Sequence, residues 1–164
     1  MIYSARSIES ELIPCCRKYG LSIVIYNPLA GGLFSGKYNA QDLASVPSEG
    51  RYSDTASNIG KMYRDRYFKP ETIESLHLIS AVAQKHNLTL LEIALRWCVH
   101  HSMLSGMATN RGGNSDGVII GVSGLEQLRG NLRDLEAGPL PEEVVTVLDQ
   151  AWAISRANTP TYWR

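Results

Sequence analysis

"LSIVIYNPLAGGLFSGKY", Leu21 to Tyr38, is the stretch whose reading decides the fold. Its first six residues are apolar or β-branched apart from Ser22, the pattern of a strand buried on both faces of a parallel sheet. Asn27-Pro28 ends the run and a glycine-rich loop follows. Gly31 and Gly36-Lys37 have the Gly-x-x-x-x-Gly-Lys spacing of a nucleotide P-loop, in which backbone N–H groups wrap phosphates. Tyr38 stands where that loop needs Ser or Thr to bind magnesium, which argues against a nucleoside triphosphatase and leaves another phosphate ligand open.

Working outward, "GVIIGV" (117–122) is a second apolar run, and Ser123-Gly124-Leu125-Glu126 has the form of a capping box opening a helix to about Leu135. The two runs predict strands over 22–26 and 118–122, parallel and joined right-handedly through helices. Part of 7–18 forms the first helix, closed by Tyr19-Gly20, with Pro14 blurring its start. Residues 39–69 read as a surface excursion ending in a short helix at "MYRDRYF". Pro70 opens a helix to about His86, and Thr89-Leu90-Leu91-Glu92 is a capping box in which Thr89 and Glu92 satisfy each other's N–H groups. Residues 105–117, dense in Gly, Asn and Ser, form a loop, and Pro139 and Pro141 launch a last helix from Glu142 to about Ala157. A strand that delivers the chain into a helix N-terminus offers unpaired N–H groups to an anion. Two such junctions on one sheet edge, after Tyr26 and at Ser123, suit a dinucleotide, although glycine turns and capping boxes also occur where nothing binds.

The 164 residues fit a single domain, and 44% hydrophobic with 20% charged residues is ordinary for a globular protein. Sixteen Lys and Arg balance sixteen Asp and Glu without a run of five like charges, which argues against nucleic acid as partner. The apolar runs fall short of the ~20 residues that span a bilayer, and no charged-then-apolar signal opens the chain, so a cytoplasmic location and no membrane partner are expected. Cys15, Cys16 and Cys98 make neither a disulfide framework nor a metal knuckle, and no His/Cys/Asp cluster has metal spacing. Asn87-Leu88-Thr89 matches a glycosylation acceptor but carries no weight without a signal. His100-His101, at a helix end, read as carbonyl caps, and Asp54, Asp65 and Asp116, in polar loops, read as solvated.

"ESELIPCCRKYGLSIVIYNPLAGGLFSGKY", "ALRWCVHHS", "VIIGVSGLEQLRGNL" and "EAGPLPEEVVTVLDQAWAISRANTPTYWR" resemble, in that order, the C-terminal half of an aldo-keto reductase of the aflatoxin aldehyde reductase branch. The resemblance implies an α/β fold, a truncated part of a TIM-type β/α barrel with two parallel strands and about five helices, and NADPH as cofactor. It implies that Tyr26 stacks on the nicotinamide, that Asn27, Leu29, Gly31 and Leu33 contact the pyrophosphate with Lys37 nearby, and that Gly121, Val122, Ser123, Gln127 and Asn131 hold the adenosine and its 2′-phosphate. Where many members set Lys and Ser against that phosphate this chain has Gly121 and Val122, and Gln127 stands for Arg. Arg51, Tyr63, Arg64, Arg66, Tyr162, Trp163 and Arg164 resemble the segments walling the substrate pocket of that branch, with solvated surface charge as the other reading of the arginines.

The family's catalytic Asp, Tyr, Lys and His lie on the first half of the barrel, and Met1 falls after that half, so no tetrad position is expected here and the catalytic residues stay unassigned. Two strands of eight leave sheet edges open, which predicts completion by self-association or by a complementing chain. Three functions follow: a reductase-derived protein that binds NADPH or a small carbonyl or hydrophobic metabolite and serves a non-reductive step, an NADPH-dependent aldehyde or ketone reductase completed by a partner chain, or a non-enzymatic interaction module or truncation product.

Overall fold

A computed structural model describes residues 6–38, 43, 45–54, 59–105 and 115–162. Strands β1 (Val24–Tyr26) and β2 (Gly117–Ile119) pair in parallel, with Val24 opposite Gly117 and Tyr26 opposite Ile119. Both lie within or beside the apolar runs that foretell them but are shorter. Burial on both faces is corrected: Ile25 is buried, whereas Val24 is 62% exposed, Tyr26 64% and Ile119 56%. Successive side chains in a strand point to opposite faces, and among the described residues the helices cover only the face of Ile25.

Six α-helices accompany the pair among the described residues: α1 (Leu12–Lys18), α2 (Ile59–Tyr67), α3 (Pro70–Lys85), α4 (Leu90–His100), α5 (Leu125–Glu136) and α6 (Glu142–Ser155). The first helix is split, with a 3-10 turn at Arg6–Ile8 ahead of α1. Pro14 sits in the first turn of α1, where a missing N–H forfeits no intrahelical bond. At α4, Thr89 Oγ1 accepts from Glu92 N–H at 3.0 Å, but the Glu92 carboxylate turns to Arg96 Nη1 at 2.7 Å, so half of the expected capping box forms. At α5 the cap is reversed. Gly124 is the N-cap, and Gln127 Oε1 accepts from both the N–H and the hydroxyl of Ser123 at 3.0 Å.

Helices α3 and α6 pack through Ile73, Leu76, Ile79 and Ala83 against Val144, Leu148 and Ala151. Within that contact the Ser75 and Ser155 hydroxyls both donate to the Ala151 carbonyl, at 2.9 and 3.1 Å. One face of α4 holds the segment before α6: Arg96 donates to the carbonyls of Gly138 and Pro139, His100 Nε2 to that of Ala137, and His101 Nε2 accepts from Leu140 N–H. His100 therefore meets a carbonyl as expected, though of the 137–140 segment and not of its own helix, whereas His101 accepts from an N–H of that segment. Arg6 joins the N-terminal turn to this layer, its guanidinium 5.2 Å from the Trp97 ring centre and 2.7 Å from Asp149 Oδ1. Among the described residues no helix is long and apolar enough to cross a membrane.

Asp116 corrects another expectation. It is 5% exposed, not solvated, and its carboxylate accepts from Ile23 N–H at 2.7 Å, Ser105 N–H at 2.8 Å and both terminal nitrogens of Arg17. One carboxylate thus fixes the starts of both strands and the last turn of α1. Burial pushes its pKa up, but Arg17 and the two N–H donors more than offset this, and the carboxyl titrates below the usual range. Asp54 and Asp65 are exposed as expected, each paired with a cation, Arg64 and Lys61.

Candidate functional site

Parallel pairing places the C-terminal ends of β1 and β2 on one edge, and the residues proposed for binding leave the sheet there. From β1 the chain turns through Asn27, which is left-handed at φ 59°. Its Oδ1 accepts from Gly31 N–H at 2.7 Å and its Nδ2 donates to the Tyr67 hydroxyl at 3.0 Å. The Ala30 N–H goes to the Asn27 carbonyl, and those of Gly32 and Phe34 go to the Leu29 carbonyl. The donors that a P-loop turns toward phosphate are here used inside a 3-10 corner, Ala30–Ser35, whose Leu33 and Phe34 are buried.

Gly31 is set by packing. At φ +68° it lies in the left-handed region, and a Cβ there would come within 2.5 Å of the Tyr63 ring. Leu29 is half-buried, and Lys37 is exposed beyond the corner, its N–H on Ser35 Oγ at 3.4 Å. Tyr52 holds the corner from above. It is fully buried, its hydroxyl donates to the Ala30 carbonyl, and its ring stacks on Phe68 at 4.5 Å with Tyr38 and Tyr63 against it. Burial, before the neighbouring tyrosines, pushes its phenol well above the ordinary range, so it acts as a neutral donor.

From β2 the chain runs through Gly121, Val122 and Ser123 into α5, all three exposed, as is Gln127. Asn131, one turn further, is buried at 4% exposure. Among the residues expected to wall a substrate pocket, Tyr63 is buried under Gly31, and Arg64 is committed to the Tyr52 carbonyl and to Asp54 Oδ1 at 2.6 Å. These contacts make Arg64 a brace of the excursion instead of a freely solvated charge. Arg66 lies over the Tyr67 ring at 5.7 Å, and the Tyr67 and Tyr26 hydroxyls favour its charged form. Burial would lower its pKa, and these hydroxyl contacts turn the net shift upward. Arg51 lies 5.9 Å from the Tyr63 ring centre, with Nη2 4.0 Å from where a Cβ on Gly121 would stand. Tyr162 donates to Glu11 at 3.0 Å, while Trp163 and Arg164 lie outside the described residues.

Contacts run along this edge from Tyr67 through Asn27, Gly31 and Tyr63 to Arg51. Tyr52, Tyr67 and Asp116 were not foreseen in these roles. The i, i+4 spacing of Tyr63 and Tyr67 was the available signal for two aromatics on one helix face.

The sequence profile of the Aldo/keto reductase family matches residues 1–153. An aldo-keto reductase of Pseudocercospora fijiensis is 40% identical over 163 residues, covering 98% of this chain and 52% of its own length. Aflatoxin B1 aldehyde reductase member 2 of Mus musculus is 41% identical over 165 residues, covering 98% of this chain and 43% of its own. Aldo-keto reductase family 7 member A3 of Homo sapiens is 38% identical, covering 97% and 47%. The chain spans about half the length of these relatives. With the profile extending from the first 3-10 turn nearly to the end of α6, the chain belongs to the aldo/keto reductase family.

Proposed function

We propose that the C-terminal edge of the β1–β2 pair holds NADPH, with the Tyr26 ring against the nicotinamide and the turn from Gly121 to Gln127 against the adenosine and its 2′-phosphate. The chain supplies this portion of the site to chemistry on a small carbonyl compound or hydrophobic metabolite. The observation that carries the reading is an aromatic ring, 64% exposed, on the same sheet edge as an exposed turn entering α5.

The residues present fit the cofactor unevenly. Tyr26 offers an open ring face, and among the described residues beyond its chain neighbours only Arg51 stands within 4.0 Å of the position a Gly121 side chain would take, which leaves room at that turn. Asn27, Gly31 and Leu33 shape the corner, their neighbouring N–H groups being used within it, so they support a pyrophosphate by contour and not as a donor cradle. Bound NADPH would supply hydride. The role of Tyr26 would be to orient the ring through its exposed face.

Reduction of a carbonyl also needs a positioned acid, typically worth 10²–10⁴-fold. The family's acid has no expected counterpart in this chain, and among the described residues the cation coupled electrostatically to the Tyr26 hydroxyl is Arg66. The reductive reading therefore calls for further strands, carrying the acid, against the exposed face of Val24, Tyr26 and Ile119 from a complementing polypeptide. Without them, the reading is that of a protein binding cofactor or metabolite for a non-reductive step.

The test is a fluorescence titration of the full chain with NADPH and with NADH, together with its native mass. Saturable binding is expected, and Tyr26→Ala should weaken both dinucleotides about tenfold, since ring stacking is worth ~1–3 kcal/mol. Tyr26→Phe should bind as the parent does. Absence of saturable binding at millimolar cofactor would overturn the proposal.

A further inference from the structure

We propose that the adjacent thiols of Cys15 and Cys16, on α1, form a two-thiolate site for a soft monovalent cation, copper(I). The pair lies away from the cofactor edge. Arg17, the next residue, is held by Asp116 at the strand starts, whereas Tyr26 and Gly121 leave from the strand ends. Both thiols are free and within reach of solvent, Cys15 exposed and Cys16 half-buried, while Cys98 is buried. Cys16 packs against the core together with Leu12, one turn earlier, so one arm of the pair is braced and the other is open.

Backbone geometry decides what the pair can hold. Neighbouring Cα atoms stand about 3.8 Å apart, closer than the roughly 4.4–6.8 Å of an ordinary disulfide, and the helix turns successive side chains apart by about 100°. A direct S–S bond is therefore strained, which keeps the pair as a dithiol. A soft atom set between the sulfurs, with thiolate bonds of about 2.3 Å each, spans a gap that a disulfide does not. Among the described residues no group of three or more His, Cys, Asp and Glu could hold a metal, so a tetrahedral zinc set has no support and a cation satisfied by two thiolates does. Binding releases the two thiol protons and leaves a bis-thiolate with one net negative charge. Lys18, three residues after Cys15, is its neighbour on the helix surface, and Glu11, one turn before Cys15, is engaged by the Tyr162 hydroxyl at 3.0 Å.

The experiment titrates the reduced full chain, without oxygen, with copper(I) against the chromophoric chelator bathocuproine disulfonate, beside Cys15→Ser, Cys16→Ser and the double variant. Circular dichroism confirms that each is folded, and Cys98 stays in all of them. The parent should withdraw one equivalent of copper, and either single variant should bind about 100-fold more weakly, because a tethered second ligand contributes on that order. X-ray absorption should show two sulfur neighbours at the copper. Equal affinity in parent and single variants, or copper retained by the double variant, overturns the site. Copper held by sulfurs of two chains overturns it as well. NADPH titration of the double variant should match the parent, and a loss there would contradict the separation of the pair from the cofactor edge.

Discussion

Asp116→Ala should remove more stability than any surface substitution, and the loss should depend on pH in a direction fixed by the structure. The carboxylate is 5% exposed and accepts from Ile23 N–H, Ser105 N–H and Arg17. Removing it orphans two backbone donors, each costing about 1–3 kcal/mol when buried. Arg17 adds less, because its side chain is 34% exposed and can regain water. The sum is about 3–4 kcal/mol, toward the lower end of what breaking a buried ion pair costs.

The folded pKa of Asp116 lies below its ordinary value, so its contribution is fully present above the unfolded pKa of about 3.9 and is lost as pH falls through the folded value. Urea unfolding followed by tryptophan fluorescence at pH 7 and pH 3 tests this, with Trp97 buried in the core as reporter. The gap between parent and variant should be about 3–4 kcal/mol at pH 7 and should narrow at pH 3. A gap that is equally wide at both pH values would refute the electrostatic account. A gap under about 1 kcal/mol at pH 7 would mean that water replaces the carboxylate without penalty.

Two further outcomes follow from packing. Gly60→Ala should destabilise by about 2–4 kcal/mol, because a Cβ would stand 1.9 Å from the Ser53 carbonyl oxygen and would push α2 off the 50–54 turn; thermal melting measures it, and an unchanged midpoint would show that the contact relaxes freely. The 164-residue chain alone should scatter light with a mass above its 18.1 kDa, since Val24, Tyr26 and Ile119 leave one sheet face apolar and open; a monomer at micromolar concentration would count against association.

Much of the fold was legible because its signals are local. Pro70 starts α3 and Thr89 caps α4 at the positions their chemistry requires, and the two apolar runs became parallel strands. Even so, each capping box formed differently from its motif, because a side chain three or four residues on offered a competing partner: Arg96 took the Glu92 carboxylate, and Gln127 took the role given to Glu126. Asp116 was misread for the opposite reason. Its partners Ile23 and Arg17 lie 93 and 99 residues away, and no local pattern distinguishes a carboxylate that will meet them from a solvated one.

The glycines show why the site was harder to read than the fold. In sequence, a glycine after a strand means only that backbone can come close to something. At Gly31 the space is taken by Tyr63, and the N–H that motif spacing would aim at phosphate is held by Asn27 four residues earlier. At Gly121 the adjoining group is the guanidinium of Arg51, brought there from the excursion between β1 and α2. The same residue type thus marks a packed corner on one strand and an open, cation-bordered turn on the other. Motif spacing treated both strand ends alike as places for an anion, because packing at one and exposure at the other are not written in the spacing.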